Sequence, residues 1–372
     1  MNKFNYGIDD RAKITVTEED VKSAMSAEVT LSTYLNEKHK DKLQFADGLD
    51  AFDAALLTAG IVTKGDSRYG IESSRVEKFF TTSANKILFP EFVVRTLKET
   101  INASPILTYL VGETMTITGD TMRQPTLNLD ASTTDGAKNR KALRKVRVTE
   151  LAEIPVGTLK LGDQAVTIYK YGRGVKASYE ALRRTTIDMF RKQVELIGQY
   201  AAYDEVKVII DTIIDGDGNN NAATVYKRSV LDAGGTATKL SMTGLLKLMV
   251  KTFPINIDTL VVDEDGLIQV ATILSDKNLI NGVQPYVPFK IPQGIFNGLT
   301  IIYSPDVPQS AGTKTQIIAL NKNMAIRKII EQNSMIQELA TYANDQSKVM
   351  YLTENAGFGK IYDGASIVYE LD

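Results

Sequence analysis

Cysteine is absent from the 372 residues, and histidine occurs once, as His39. The first absence excludes disulfides, thiolate metal sites and thiol nucleophiles, so packing alone has to hold the fold; this suits a reducing compartment or a particle without redox chemistry. The second leaves the nucleophilic triads a single candidate, and His39 sits in EKHKDK, where a solvated side chain is the natural reading rather than a general base. A charge excess is also missing: 43 Lys and Arg face 45 Asp and Glu, a net charge of −2 that argues against a chain built to wrap a polyanion. Any basic patch must be local. No run of about eighteen apolar residues offers a bilayer span, and the opening MNKFNYGIDDRAK lacks the apolar centre of a signal peptide, so the expectation is a chain that is cytosolic when made.

What is present suffices for folded cores. Apolar residues make up 43% of a length that suits about two to three domains. Residues 1–75 read as an extension: Thr17-Glu-Glu-Asp20 opens a helix to about Lys38, Asp50 to Ala59 is a second helical stretch, and polar joints separate them. Glu91 to Asn102 has helical spacing after a Pro at its start. From Gly112 to Lys176, short β-branched alternations flank DASTTDGAKN, a turn-forming cluster, which describes a long β-hairpin. After a short helix around Tyr179 to Arg183, Thr186 caps a run in which Ile187, Phe190, Val194, Ile197, Ala201 and Val208 line one face. That helix continues to Ile214, roughly 42 Å at 1.5 Å per residue, with Gly198 in its middle needing compensation from packing. Beyond DGDGNNN, a mixed α/β segment follows, with a helix capped by Ser241, a strand in IDTLVVD, a helix in DGLIQVATIL and strands in GLTIIYS, TQIIAL and MAIRKII. MIQELATYA then reads as helix, followed by closing strands.

Several motifs carry chemistry on paper. Gly172-Arg-Gly174-Val-Lys-Ala177 fits the dinucleotide fingerprint, yet no second strand with a ribose-binding acid follows on schedule, which favours a tight strand-to-helix turn. Gly60 to Gly65 has the glycine spacing of a phosphate loop, but Asp66 stands where Lys is required. Asp215-Gly-Asp217-Gly-Asn219 resembles half a calcium loop, with Asn220 and Tyr226 where Gly and Glu belong, so a helix-ending polar loop is the simpler reading. Tyr169, Tyr171, Tyr179, Tyr200 and Tyr203 sit at strand and helix spacing and read as core and interface packing rather than base stacking.

The densest local charge is KNRKALRKVRV, residues 138–148, with six cations in eleven residues and no acid. Three readings are open: a solvated or salt-bridged limb, docking onto an acidic patch of a neighbouring copy, and contact with nucleic acid. A protruding hairpin cannot bury its faces within its own subunit, which favours the first two.

The order of parts resembles the major capsid protein of tailed bacteriophages. The likeness is carried by FTTSANKILFPEFVVRTL, by VKASYEALRRTTIDMFRKQVELIGQYAAYDEVKVIIDTIIDGDG and by the stretch from IRKIIEQNSMIQELATYANDQ to GASIVYEL, and covers about residues 80–372. It rests on order and pattern, because the family has no short signature. It implies an α+β chain with an N-terminal arm over 1–79, the start of a peripheral P-domain over 80–111, an extended E-loop hairpin with P-domain strands over 112–172, the P-domain spine helix over 173–221, an axial A-domain over 222–330 and a return to the P-domain over 331–372. In some relatives a segment such as 1–75 is part of a removable scaffolding piece.

The resemblance further implies a structural, non-enzymatic subunit without cofactor or metal, which assembles with identical subunits as hexamers and pentamers into an icosahedral head. The head encloses double-stranded DNA without sequence-specific binding, and scaffolding, portal and decoration proteins are further partners; no membrane is involved. Its place is the virion, after assembly in the host cytoplasm. The E-loop of the family lies over an adjacent subunit, so Lys138, Arg140, Lys141, Arg144, Lys145 and Arg147 are the implied intersubunit contacts, with complementary acids on the neighbour's spine or P-domain. Some relatives join a loop Lys to an Asn of another subunit; nothing in this sequence marks the partner, and no such link is predicted. The alternatives are a nucleotide-binding enzyme using the Gly172–Gly174 turn and a DNA-binding protein using limb 138–147.

Overall fold

The computed structural model describes residues 10–27, 29–46, 48–65, 72–123, 125–126, 134–144, 147–150, 154, 156–158, 160–161, 165–232, 239–253, 255–276, 289–290, 299–308, 315–332, 334 and 336–371. The chain divides into two compact units, Met1–Ala103 with Lys170–Ala201 and Gln332–Asn355, and Ser104–Tyr169 with Ala202–Glu331 and Ala356–Asp372.

In the first unit, the residues that read as an extension are part of the core. Ile14, Val16, Leu31, Leu35, Phe52 and Leu56 are buried in one cluster with Phe79, Phe89, Phe92, Ile187 and Val194. The single helix expected from Thr17 to Lys38 is two, Glu18–Ser26 and Leu31–Lys38, because Thr30 adopts extended geometry and its side chain caps the second. Asp50 caps Ala51–Thr58 as expected. The next helix, Ser83–Asn102, starts earlier than its apolar pattern suggests: Thr82 caps it, and Pro90 lies inside it rather than at its start. Pro90 withholds one i to i−4 hydrogen bond, a cost offset by an apolar face in which Phe89, Phe92, Val93 and Leu97 are buried.

The long helix is Ile187–Asp215, 29 residues, with Met189 N donating to Thr186 Oγ1 at 3.5 Å. Gly198 lets it pack tightly against Ser83–Asn102: a Cβ there would stand 2.9 Å from Thr100 Cβ. MIQELATYA is not helical. Ile336–Tyr342 pairs antiparallel with Ser347–Lys360 in the register Ile336↔Thr353 to Tyr342↔Ser347. Gln346, at φ 48°, helps close the turn between them.

One feature of this unit is sensitive to pH. His39, between Leu31–Lys38 and Lys40–Leu43, has its Nε2 buried without a hydrogen-bond partner. Burial pushes the imidazole pKa below its ordinary value, and Lys42 and Lys38 push it further down, against weaker opposing pulls from Asp20 and Asp41. A depressed folded pKa means that the unfolded chain binds the proton more readily. Its contribution to stability is therefore complete above about pH 6.5, the unfolded value, and lost as pH falls through the lower folded value. The urea midpoint of this unit will drop on acidification across that window, and His39→Gln will flatten the dependence.

The second unit is organised by a six-stranded sheet in the order Thr224–Lys227, Ser366–Glu370, Gln316–Leu320, Thr259–Val262, Thr300–Tyr303 and Phe289–Lys290. Leu260, Val262, Ile317, Ala319, Ile367 and Tyr369, alternate residues of three strands, form one cluster with Leu245, Leu248 and Val270 of helices Met242–Lys251 and Glu264–Asp276. Their neighbours Val261, Ile302, Ile318 and Val368 are also buried, which explains why these strands read as continuous apolar runs. Two strands pair differently from the sequence reading. Ser366–Glu370, sent back with the P-domain, sits inside this sheet. Ile326–Glu331, grouped with the preceding strands, pairs instead with Val111–Ile117 in parallel and with the end of Ser347–Lys360 antiparallel.

DGDGNNN ends the long helix as a fastened loop. Asp217 Oδ1 accepts from Asn219 N at 3.2 Å and Nδ2 at 2.9 Å, while Oδ2 accepts from Lys360 N at 3.0 Å. Lys360, fully buried, donates from Nζ to the carbonyl of Asn221 at 2.5 Å.

Candidate functional site

Between Val111–Ile117 and Tyr169–Ser178 the chain makes a narrow excursion. Thr121–Met122 pairs antiparallel with Val166–Thr167, and Pro125–Thr126 with Lys160–Leu161. Among the described residues these two short ladders lie in the antiparallel order of the expected hairpin. The basic stretch opens in helix Thr134–Ala142 instead of on an extended limb. The helix is held from inside the excursion: Asn139 is buried, and its Oδ1 accepts from Thr158 N at 3.0 Å.

The candidate cations divide accordingly. Lys138 and Lys141, three residues apart on this helix, share an exposed face. Arg140 belongs to the helix backbone, but its side chain lies outside the described residues, as does Lys145 altogether. Arg147 is exposed beyond the helix. The Arg144 guanidinium lies 5.9 Å from the Phe253 ring centroid, a contact within its own unit, so this side chain does not point wholly away from the body. Among the described residues, Lys138, Lys141 and Arg147 make no ion pair. The sequence reading concentrated on charge and passed over the apolar residues between the cations. Leu143 is 61% exposed, Ile154 69% and Val156 79%. All three are large apolar side chains facing water on the same excursion.

A second exposed apolar set lies on the long helix. Met189, Leu196, Tyr200 and Tyr203 are each more than half exposed; steps of seven, four and three place them in one narrow stripe. Of the tyrosines read as core and interface packing, Tyr169, Tyr171, Tyr179, Tyr200 and Tyr203 are all exposed, so none is a core residue; Ile187, Phe190 and Val194 form the buried face of the helix. Farther along, Asp211 lies near Asp215 and Asp306: burial raises its carboxyl pKa, Lys207 opposes this, and the two like charges add to the rise.

Gly172 and Gly174 do not form a turn. Both lie within strand Tyr169–Ser178, where a Cβ on Gly174 would stand 3.3 Å from Tyr351 Cδ1 and one on Gly172 would stand 3.2 Å from Thr353 Cγ2. The glycines make room for side chains of the neighbouring strand. A fingerprint that works by opening a helix N-terminus to pyrophosphate has no such opening here.

The sequence profile of the phage capsid protein family matches residues 162–360, more than half of the chain. No curated protein matches it. Among solved structures, a phage-related protein from Bordetella bronchiseptica RB50 is 10% identical, with 75% of this chain and 95% of that one covered at a TM-score of 0.50, a likeness of fold. The virus-like particle of Pyrococcus furiosus is 13% identical (75% and 98% covered, TM-score 0.44), and the capsid of Cyanophage P-SCSP1u is 14% identical (70% and 86% covered, TM-score 0.43).

Proposed function

This chain belongs to the phage capsid protein family, and from that premise we propose that it builds a closed icosahedral shell of identical copies in which the excursion between residues 118 and 168 ties each copy to its neighbour. The role is structural. Heterologous contacts between like subunits close into rings, here hexamers and pentamers, and many modest contacts add up across the shell. The observation that carries the proposal is the excursion itself, on which Leu143, Ile154 and Val156 are exposed and Lys138, Lys141 and Arg147 make no ion pair among the described residues. Burying such side chains on a neighbour contributes about 25 cal/mol per Å² before ordering costs, and the cations set orientation and exclude wrong partners.

In this reading the excursion is the E-loop, Ile187–Asp215 is the spine helix, and the six-stranded sheet with its helices is the A-domain that meets its copies at ring centres. The shell encloses double-stranded DNA without reading its sequence, is assembled in the host cytoplasm, and takes scaffolding, portal and decoration proteins as further partners. Purified chain at high concentration will form megadalton particles visible by light scattering and electron microscopy. A chain that stays monomeric at every concentration and salt condition, alone and with its phage's scaffolding protein, would overturn the proposal.

A further inference from the structure

Charge density in the sequence singles out residues 138–148, but the fold assembles a second basic surface from residues far apart in the chain. Arg75 and Lys78, Lys86, Arg183 and Arg184, and Lys348 come from four segments of the first unit. Arg75 Nη1 donates to the Arg183 carbonyl at 3.3 Å, and Asn85 Nδ2, beside Lys86, donates to the Lys78 carbonyl at 3.1 Å. The Lys348 ammonium lies 3.3 Å from the Phe80 ring centroid and 5.9 Å from that of Tyr179. These contacts join the segments into one surface. We infer that it binds the phosphate backbone of DNA without reading sequence, so that this face of the first unit is the one that meets the enclosed DNA. The identity of the polyanion rests on the shell reading above.

The charge on this surface is not answered at home. Residues 75–86 and 179–184, with Lys348, hold six cations and two acids, in a chain whose net charge is −2. Arg75, Lys78, Lys86, Arg183 and Arg184 are exposed and Lys348 is half-buried. Glu77 reaches Arg183 at 3.7 Å, with both side chains half exposed or more, which makes a weak pair. Among the described residues, Lys86, Arg184 and Lys348 make no ion pair. Burial lowers the Lys348 pKa from its ordinary value and Lys86 lowers it further, so the cations crowd one another and an incoming phosphate relieves them. Lys86 also stands in the first turn of Ser83–Asn102, which holds no acid, although the helix dipole there disfavours a cation. The surface is short of apolar area as well. Among the described residues of these segments, Tyr179, at 38%, is the exposed large apolar side chain. A protein partner needs an apolar centre and few lysines, whereas a phosphate-binding surface is polar and strongly positive.

The test titrates a short fluorescent DNA duplex with full-length chain, as single subunits at nanomolar concentration, between about 50 and 200 mM salt. Circular dichroism confirms that each variant is folded. With about five phosphates neutralised, the logarithm of the association constant will fall against the logarithm of salt with a slope of about −4 to −5, and duplexes of unrelated sequence will bind alike. Lys78→Gln, Lys86→Gln and Arg184→Gln together will make that slope shallower by about 2.7 and weaken binding at least about tenfold at the lower salt. Lys22→Gln, Lys40→Gln and Lys64→Gln, which remove the same charge from other exposed positions, will change neither. No binding at the lower salt, an unchanged slope in the first variant, or an equal loss in both variants would overturn the inference. Displacement of the duplex by polyglutamate at equal charge concentration would also overturn it, because the surface would then fit an acidic protein segment. Binding by single subunits is read whether or not the chain assembles, so a failure to form particles counts against the shell reading and these results count against the inference alone.

Discussion

A chain carrying Lys138→Glu, Lys141→Glu and Arg147→Glu will fold, stay in solution as single subunits and fail to assemble. The three side chains are exposed and make no ion pair among the described residues, so replacing them removes no internal contact. Surface changes of this kind usually shift stability by less than about 0.5 kcal/mol. Between subunits the arithmetic differs. Close charge pairs across an interface have measured couplings of about 1.5–7 kcal/mol, and reversal replaces attraction by repulsion at every copy of the contact. A loss of even about 1.4 kcal/mol per contact is a tenfold loss in each association constant, and shell closure multiplies it. A matched control separates docking from general repulsion: Lys22→Glu, Lys40→Glu and Lys64→Glu reverse three other exposed cations, and that variant will assemble. Particle yields from sedimentation decide. Normal particles from the loop variant, or failure of both variants alike, would remove the specific role of the loop.

Phe89→Ala will destabilise the first unit by about 3–5 kcal/mol, the range for deleting a buried aromatic ring. Phe89 is the hub of its cluster, with ring centroids 4.9 Å from Phe80, 5.4 Å from Phe79 and 5.6 Å from Phe190. Those rings come from the short helix Val76–Phe80 and the long helix, so the cavity is walled by separate elements that cannot collapse together without shifting backbone. The result will be read in urea titrations of an assembly-blocked background, where the transition of this unit moves to lower urea. A shift smaller than about 1 kcal/mol would mean that the site relaxes freely and that these rings do not fix the helices.

Local patterns in the sequence revealed those parts of the fold whose causes are local. The long helix was legible because Thr186 supplies a cap and Ile187, Phe190 and Val194 recur at helical spacing in front of a buried wall. Strands Thr259–Val262 and Gln316–Leu320 were legible as short runs that are apolar after their first residue. Pairing was not legible. Nothing in IRKIIE says that its parallel neighbour is Val111–Ile117, more than two hundred residues earlier, and nothing in SIVYE says that it joins a sheet built mostly from residues 224–320. Ile336–Tyr342 was read as helix because its apolar residues lack strict alternation; the turn residues Asn344 and Asp345 were the missed sign of a hairpin.

The candidate site was half visible for a related reason. Charge stands out in a sequence, so 138–148 drew notice, whereas Leu143, Ile154 and Val156 acquire meaning only once they are seen to face water. The helix Thr134–Ala142 lacks an apolar stripe and escaped a search for periodicity; Asn139, turned inward to hold Thr158, anchors it instead.

The loop that ends the long helix bears on how this protein could be re-engineered. DGDGNNN has the glycines and small polar residues that usually mark a splice site for tags or displayed peptides. Yet Lys360, sealed from water, grips Asn221, and Asp217 grips Lys360 in return. Cargo grafted between Gly218 and Asn221 would pry open that clasp and strand an ammonium in the interior, so a seemingly permissive hinge is one of the least forgiving places to cut.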